Sequence, residues 1–135
     1  MEQLWMQMPN EKESNALQSY RDLDAWQHAM DLVQLTYELT STLPTDERFG
    51  LTSQMRRAAV SIPSNIAEGY GRRHRGDYIH HLSIANGSLK ELETQFILLS
   101  RLNYASKEQL HPIWQKAQET GRIMFRLIQA LEATK

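Results

Sequence analysis

Five arginines, Arg56, Arg57, Arg72, Arg73 and Arg75, with His74 among the last three, are the side chains of this sequence whose chemistry is easiest to name. Guanidinium groups contact phosphates, and a cluster of them is the electrostatic footprint of a nucleic-acid surface. Arg56 and Arg72 are sixteen residues apart, which is about 24 Å along a helix. The two groups therefore sit at opposite ends of one element, and only an oligomer could merge them into one surface. The competing reading leaves them solvated or in salt bridges between subunits. They are not interleaved with aromatic residues in the way single-strand binders prefer.

Arg57, Ser61, Ser64 and Glu68 recur at i, i+4, i+7 and i+11, the spacing of one helical stripe lying away from the apolar face. Val60 and Ala67 share that outward half, and such a mixture of small, apolar and charged groups suits a subunit interface better than a catalytic cleft. Asn65 and Glu68 are the residues expected to satisfy backbone near Pro63 or to pair with Arg57. His74, His80, His81 and Asp77 offer metal-ligating atoms, with Asp77 and His81 at i, i+4. No third ligand is fixed by the sequence, and Asp77 is already explained by a helix start, so neither metal nor cofactor is expected. Nucleophile elbow, phosphate loop and paired carboxylates are all missing, which points away from an enzyme. Asn86-Gly87-Ser88 matches a glycosylation sequon but falls in the middle of a helical pattern.

The elements that must hold these residues are helical. Leu23, Trp26, Met30, Val33, Tyr37 and Leu39 or Thr40 recur at three-to-four spacing, with Asp22 and Asp24 to cap the first helix and Pro44 to stop it by Ser41. A second helix runs from Phe49–Leu51 towards Tyr70 with Leu51, Met55, Ala58, Ala59, Ile62 and Ile66 on one face. Pro63 removes an amide donor and collides with the carbonyl of Ala59, so the helix is expected to be interrupted and kinked at 61–65. Gly69 and Gly71 end it. A third helix from Asp77 carries Tyr78, Leu82, Ala85, Leu89, Leu92, Phe96 and Leu99. Phe96-Ile97-Leu98-Leu99 cover most of its circumference, so one or more of them, Ile97 and Leu98 by preference, must be buried by a partner. Ser106 and Gln109 form a capping box for the last helix, whose face is Leu110, Ile113 or Trp114, Ala117, Gly121, Met124, Leu127 or Ile128, and Leu131. Trp26 and Trp114 fit core packing better than ligand stacking. Short turns between long helices dictate an all-α, antiparallel up-down-up-down four-helix bundle at residues 21–135, preceded by a flexible or loosely docked extension at 1–20, with a short helix around Leu17 a possibility.

Composition agrees with one folded core: 135 residues, 41% hydrophobic and 23% charged. The absence of cysteine excludes disulfides and thiolate chemistry and fits a reducing compartment, with the cytoplasm as the default. Net charge is only -1, but it is unevenly spread, with Lys and Arg against Asp and Glu at 2 to 9 over residues 1–47, 7 to 2 over 48–90 and 6 to 5 thereafter. The basic middle third could take an anionic partner or the acidic surface of a neighbouring subunit.

Phe49-Gly50-Leu51-Thr52, the run from Arg56 to Gly69 (Arg-Arg-Ala-Ala-Val-Ser-Ile-Pro-Ser-Asn-Ile-Ala-Glu-Gly) and Ile84 to Glu93 (Ile-Ala-Asn-Gly-Ser-Leu-Lys-Glu-Leu-Glu) resemble the bacterial four-helix bundle family first noticed in intervening sequences of 23S ribosomal RNA genes. The resemblance extends from about Tyr20 to the end, with Asn86 standing where a basic residue is more usual. It implies a homopentameric ring without known catalytic activity. A more distant likeness is to the accessory protein of diversity-generating retroelements, which works with a reverse transcriptase and RNA. The resulting expectation is a homo-oligomer that binds RNA or an RNA-containing assembly through its basic surface; the alternative is a protein-interaction scaffold without nucleic acid.

Overall fold

The computed structural model describes residues 19–134. Apolar residues at helical spacing yield four helices, α1 (Asp24–Thr40), α2 (Leu51–Tyr70), α3 (Arg75–Arg101) and α4 (Lys107–Ala133), with 3-10 turns at Tyr20–Asp22 and Thr45–Glu47. The links at 71–74 and 102–106 are far shorter than the helices they join, so successive helices run antiparallel. Each packs on its chain neighbours and α4 closes on α1, with α1 diagonal to α3 and α2 to α4. The fold is an all-α four-helix bundle, and no described residue is in a strand. No described helix is long and apolar enough to cross a membrane. Residues 1–18, with the expected extension and the possible helix around Leu17, lie outside the described residues. Tyr20 already belongs to the bundle, its ring edge-on to Trp26 at 5.3 Å between centroids.

α3 buries the expected face, with Leu82, Ala85, Leu89, Leu92 and Leu99 at 0% exposure and Phe96 at 1%. It ends in a Schellman motif: Asn103 adopts a left-handed φ of 61°, while the amides of Tyr104 and Asn103 donate to the carbonyls of Leu99 and Ser100. The capping box opens α4 as read, Ser106 Oγ accepting from the Gln109 amide and Gln109 Oε1 from the Ser106 amide.

Four readings are corrected. In α1 the buried face is Ala25, Ala29, Leu32, Thr36 and Thr40, about 100° around from the row of larger side chains. Trp26 and Val33 only flank the core, and Met30 and Tyr37 are exposed. Small residues allow closer helix approach, and the hydroxyls of Thr36 and Thr40 are satisfied by carbonyls one turn back, at 2.8 Å each. Asp22 lies in a 3-10 turn, and Leu23 holds the N-cap position without a side-chain bond.

α2 runs on through Pro63 instead of being interrupted there. Burial of Ala59, Ile62 and Ile66 at 0% exposure on the same face holds both halves against α1 and α3, enough to offset a proline cost of about 3 kcal/mol. Gly69 lies inside α2 as a packing position, because an added Cβ would stand 2.8 Å from the Cβ of His81 and 3.1 Å from the carbonyl of Tyr78.

Glu47 does work that its sequence context does not announce. Its Oε1 accepts the Leu51 amide at 3.1 Å and so caps α2, while Oε2 accepts from the Tyr104 hydroxyl at 3.0 Å, tying the first link to the third.

A second clasp joins α1 to α4. His28 Nε2 and Lys116 Nζ both meet Glu119 Oε1, at 3.3 and 3.2 Å, and Lys116 also reaches Asp31 at 3.6 Å. The Lys116 hydrogen bond holds the Glu119 carboxyl below the ordinary value of 4.5, against opposing desolvation and with help from His28. A carboxyl depressed in the folded state stabilises above its unfolded pKa, and that contribution is lost as pH falls through the folded one. Glu119→Gln should therefore lower urea resistance at pH 7 and leave it unchanged at pH 3; a deficit of equal size at both pH values would show that ionisation of Glu119 contributes nothing.

Candidate nucleic-acid interface

The arginines expected to act together are placed in three different settings. Arg56 is consumed inside the bundle: its Nε donates to Thr40 Oγ1 at 2.9 Å, its Nη2 to the Tyr37 carbonyl at 3.4 Å, and its guanidinium lies 4.4 Å from the Tyr37 ring centroid. That stacked, forked geometry fastens the end of α1 to the start of α2. Arg57 is exposed and has no partner among the described residues. Arg72, Arg73 and Arg75 come together with His74 at the exposed α2–α3 link. Of these only Arg72 has a charged partner among the described residues, Glu68 at 3.7 Å, and both side chains are half exposed or more, so water screens the pair strongly.

Behind this link the bundle is closed by aromatic packing. Tyr70 and Tyr78 meet edge-to-face at 6.1 Å, and burial, reinforced by Tyr70, pushes the Tyr78 hydroxyl up to about 12. Both rings are partly buried and packed on each other and on the core.

The outward polar stripe of α2 divides in two. Ser61 and Asn65 turn towards α3, where Ser88 Oγ donates to Ser61 Oγ at 2.9 Å and Asn65 Nδ2 donates to the Ser61 hydroxyl and carbonyl at 3.0 and 2.9 Å. Asn65 Oδ1 lies 3.0 Å from His81 Nδ1; an amide oxygen only accepts, so that ring nitrogen carries the proton. Asn65 thus supports backbone beside Pro63, as its position suggested, and engages His81 in addition. Ser64, Glu68 and Val60 remain exposed. No group of three His, Asp or Glu among the described residues could hold a metal ion.

On α3, Ile97 and Leu98 are exposed at 47% and 39% while Phe96 and Leu99 are buried. One turn before Leu98 the buried Gln95 donates through Nε2 to Glu91 at 3.4 Å, and its Oε1 finds no hydrogen-bond partner among the described residues. An orphaned buried acceptor is costly in a monomer. The sequence carries no signal for it, because a lone glutamine in a helix ordinarily faces water.

A family model described as the 23S rRNA-intervening sequence protein matches residues 21–126. Among solved structures, the crystal structure of a protein of unknown function from the S23 ribosomal protein family of Bacteroides thetaiotaomicron is similar, with a TM-score of 0.72 and 26% identity over 77% of this chain and 97% of that one. No curated protein matches the sequence.

Proposed function

Because the chain belongs to the 23S rRNA-intervening sequence protein family, we propose that it is a non-enzymatic homo-oligomeric bundle, a pentameric ring in the cytoplasm, that engages RNA or an RNA-containing assembly through its basic surface. The observation that carries this reading is the α2–α3 link, where Arg72, Arg73, His74 and Arg75 are all exposed and only Arg72 is paired among the described residues. Unpaired arginines held by a short link between two rigid helices can meet phosphates with little ordering cost. Arg57 adds to this surface if the ring brings neighbouring α2 helices together. Assembly itself is supported by Val60, Ile97 and Leu98 at the surface and by the unsatisfied Gln95 Oε1. A bend of α2 at Pro63 and an interface through Arg57, Ser64 and Glu68 belong to the same reading.

The test is binding of a labelled RNA hairpin across a salt series. Reversing both Arg73 and Arg75 to Glu should weaken binding on every RNA sequence and reduce the salt slope by about two, one for each phosphate contact removed. If the wild-type protein retains no RNA at about 50 mM salt, where such contacts are strongest, the RNA reading falls. The exposed Ile97 and Leu98 then favour the second reading, a scaffold that binds protein alone.

A further inference from the structure

The groove between α3 and α4 holds an exposed aromatic ring beside two arginines that form no ion pair among the described residues. It encloses about 520 Å³ and is lined by Lys90 and Asn86 from α3 and by Gln118, Arg122, Phe125 and Arg126 from α4. Phe125 is 60% exposed, the one exposed large apolar side chain of α4 among the described residues. Arg122 and Arg126, one turn apart and flanking it, form no ion pair within 4 Å among the described residues, though Arg122 is near enough to Glu119 to help hold that carboxyl down. The acid nearest Arg122 in sequence, Glu119, is already held by Lys116 and His28. The one carboxylate in the groove wall, Glu93, is also occupied, by Lys90 Nζ at 3.3 Å and Gln118 Nε2 at 3.2 Å. Gly121 keeps the floor low between the helices, since a Cβ there would press on Leu89 at 3.2 Å.

We propose that this groove binds single-stranded RNA, with a base stacked on Phe125 and phosphates held by Arg122 and Arg126. The inference rests on the RNA reading but places the base contact on residues which that reading does not use. Aromatic faces interleaved with cations are the recurring solution for unpaired strands, because every base offers a π-face while the backbone needs only positive charge. The amides of Gln118 and Asn86 can donate to and accept from base edges. From residue 118 to 129 the α4 wall runs about 16 Å, room for a few stacked nucleotides. A duplex hides its base faces and has no use for Phe125.

The test compares an unstructured 12-nucleotide oligouridine with a blunt RNA duplex of the same length, by fluorescence anisotropy at low salt. Phe125→Ala removes an exposed side chain and should leave the fold intact. It should weaken oligouridine binding about tenfold or more, leave the duplex unchanged, and be rescued by Phe125→Trp. The Arg73 and Arg75 charge reversals should weaken both probes. Unchanged oligouridine binding by Phe125→Ala, beside intact duplex binding, overturns the groove and leaves the basic link standing. Failure of the wild-type protein to bind either probe overturns both. If Phe125→Ala instead dissociates the oligomer while each remaining subunit binds oligouridine as before, the groove is a subunit contact and the proposal is wrong.

Discussion

Phe96→Ala should lower the free energy of unfolding by about 3–5 kcal/mol, a large share of the roughly 5–15 kcal/mol that a domain of this kind possesses. Phe96 is 1% exposed and the largest of the fully buried side chains. Its truncation removes both transfer free energy and the contacts that lined its cavity. Partial collapse is possible because Phe96 also borders an open cleft at the α3–α4 end, walled by Ile97, Leu110 and Trp114, which places the expected loss nearer the lower figure. Ile97→Ala, one residue on and 47% exposed, should change the isolated subunit by no more than about 0.5 kcal/mol. Urea unfolding across a range of protein concentrations separates the two effects. A loss for Ile97→Ala that grows with protein concentration would locate Ile97 in a subunit interface, whereas a Phe96→Ala loss below about 1 kcal/mol would contradict the core described above.

Gly69→Ala should also destabilise, against its helix propensity. In a helix interior alanine is better than glycine by about 1 kcal/mol. Here the added methyl would stand 2.8 Å from the His81 Cβ, 3.0 Å from Tyr78 Cδ1 and 3.1 Å from the Tyr78 carbonyl. Two of those three atoms are fixed to the α3 backbone, so relief requires the helices to separate, and overpacking of this sort costs about 1–3 kcal/mol. The cost outweighs the propensity gain, and the separation would also pull His81 from Asn65. Gly87→Ala provides the opposite sign within the same protein: it too is helical, nothing lies within 4 Å of its would-be Cβ, and it should stabilise by about 0.5–1 kcal/mol. A thermal melt in which Gly69→Ala shifts upward together with Gly87→Ala would show that propensity, and not α2–α3 contact, governs Gly69.

The helices and the core face of α3 were legible because apolar periodicity is carried by the residues themselves. The same pattern misled in α1, where Trp26, Met30, Val33 and Tyr37 repeat with the same spacing as Ala25, Ala29, Leu32 and Thr36. Hydrophobicity favours the first row, but close packing against α2 and α4 selects the second. At Pro63 local backbone sterics argue for an interruption, yet α2 stays helical through it because residues on either side bury the same face. Among the arginines, sequence could supply charge but not vacancy: Arg56 is spent on Tyr37 and Thr40, whereas Arg73 and Arg75 remain free of any ion pair among the described residues. Phe125 carries no sequence signal for a related reason, since an aromatic in an amphipathic helix ordinarily packs inward.

What the sequence by itself determined is everything set by short-range order: four helices, the cap at Ser106, the absence of thiol chemistry and the family kinship borne by residues 56–69. Only the tertiary structure decided which side chains are spoken for. Glu47 capping α2 from beneath Tyr104, Gly69 seating His81, Gln95 left with an unsatisfied oxygen and Phe125 left among cations all depend on atoms brought together from distant points in the chain. Periodicity specifies which way a residue faces to within a helical turn, whereas a hydrogen bond or a close approach is decided over a few tenths of an ångström.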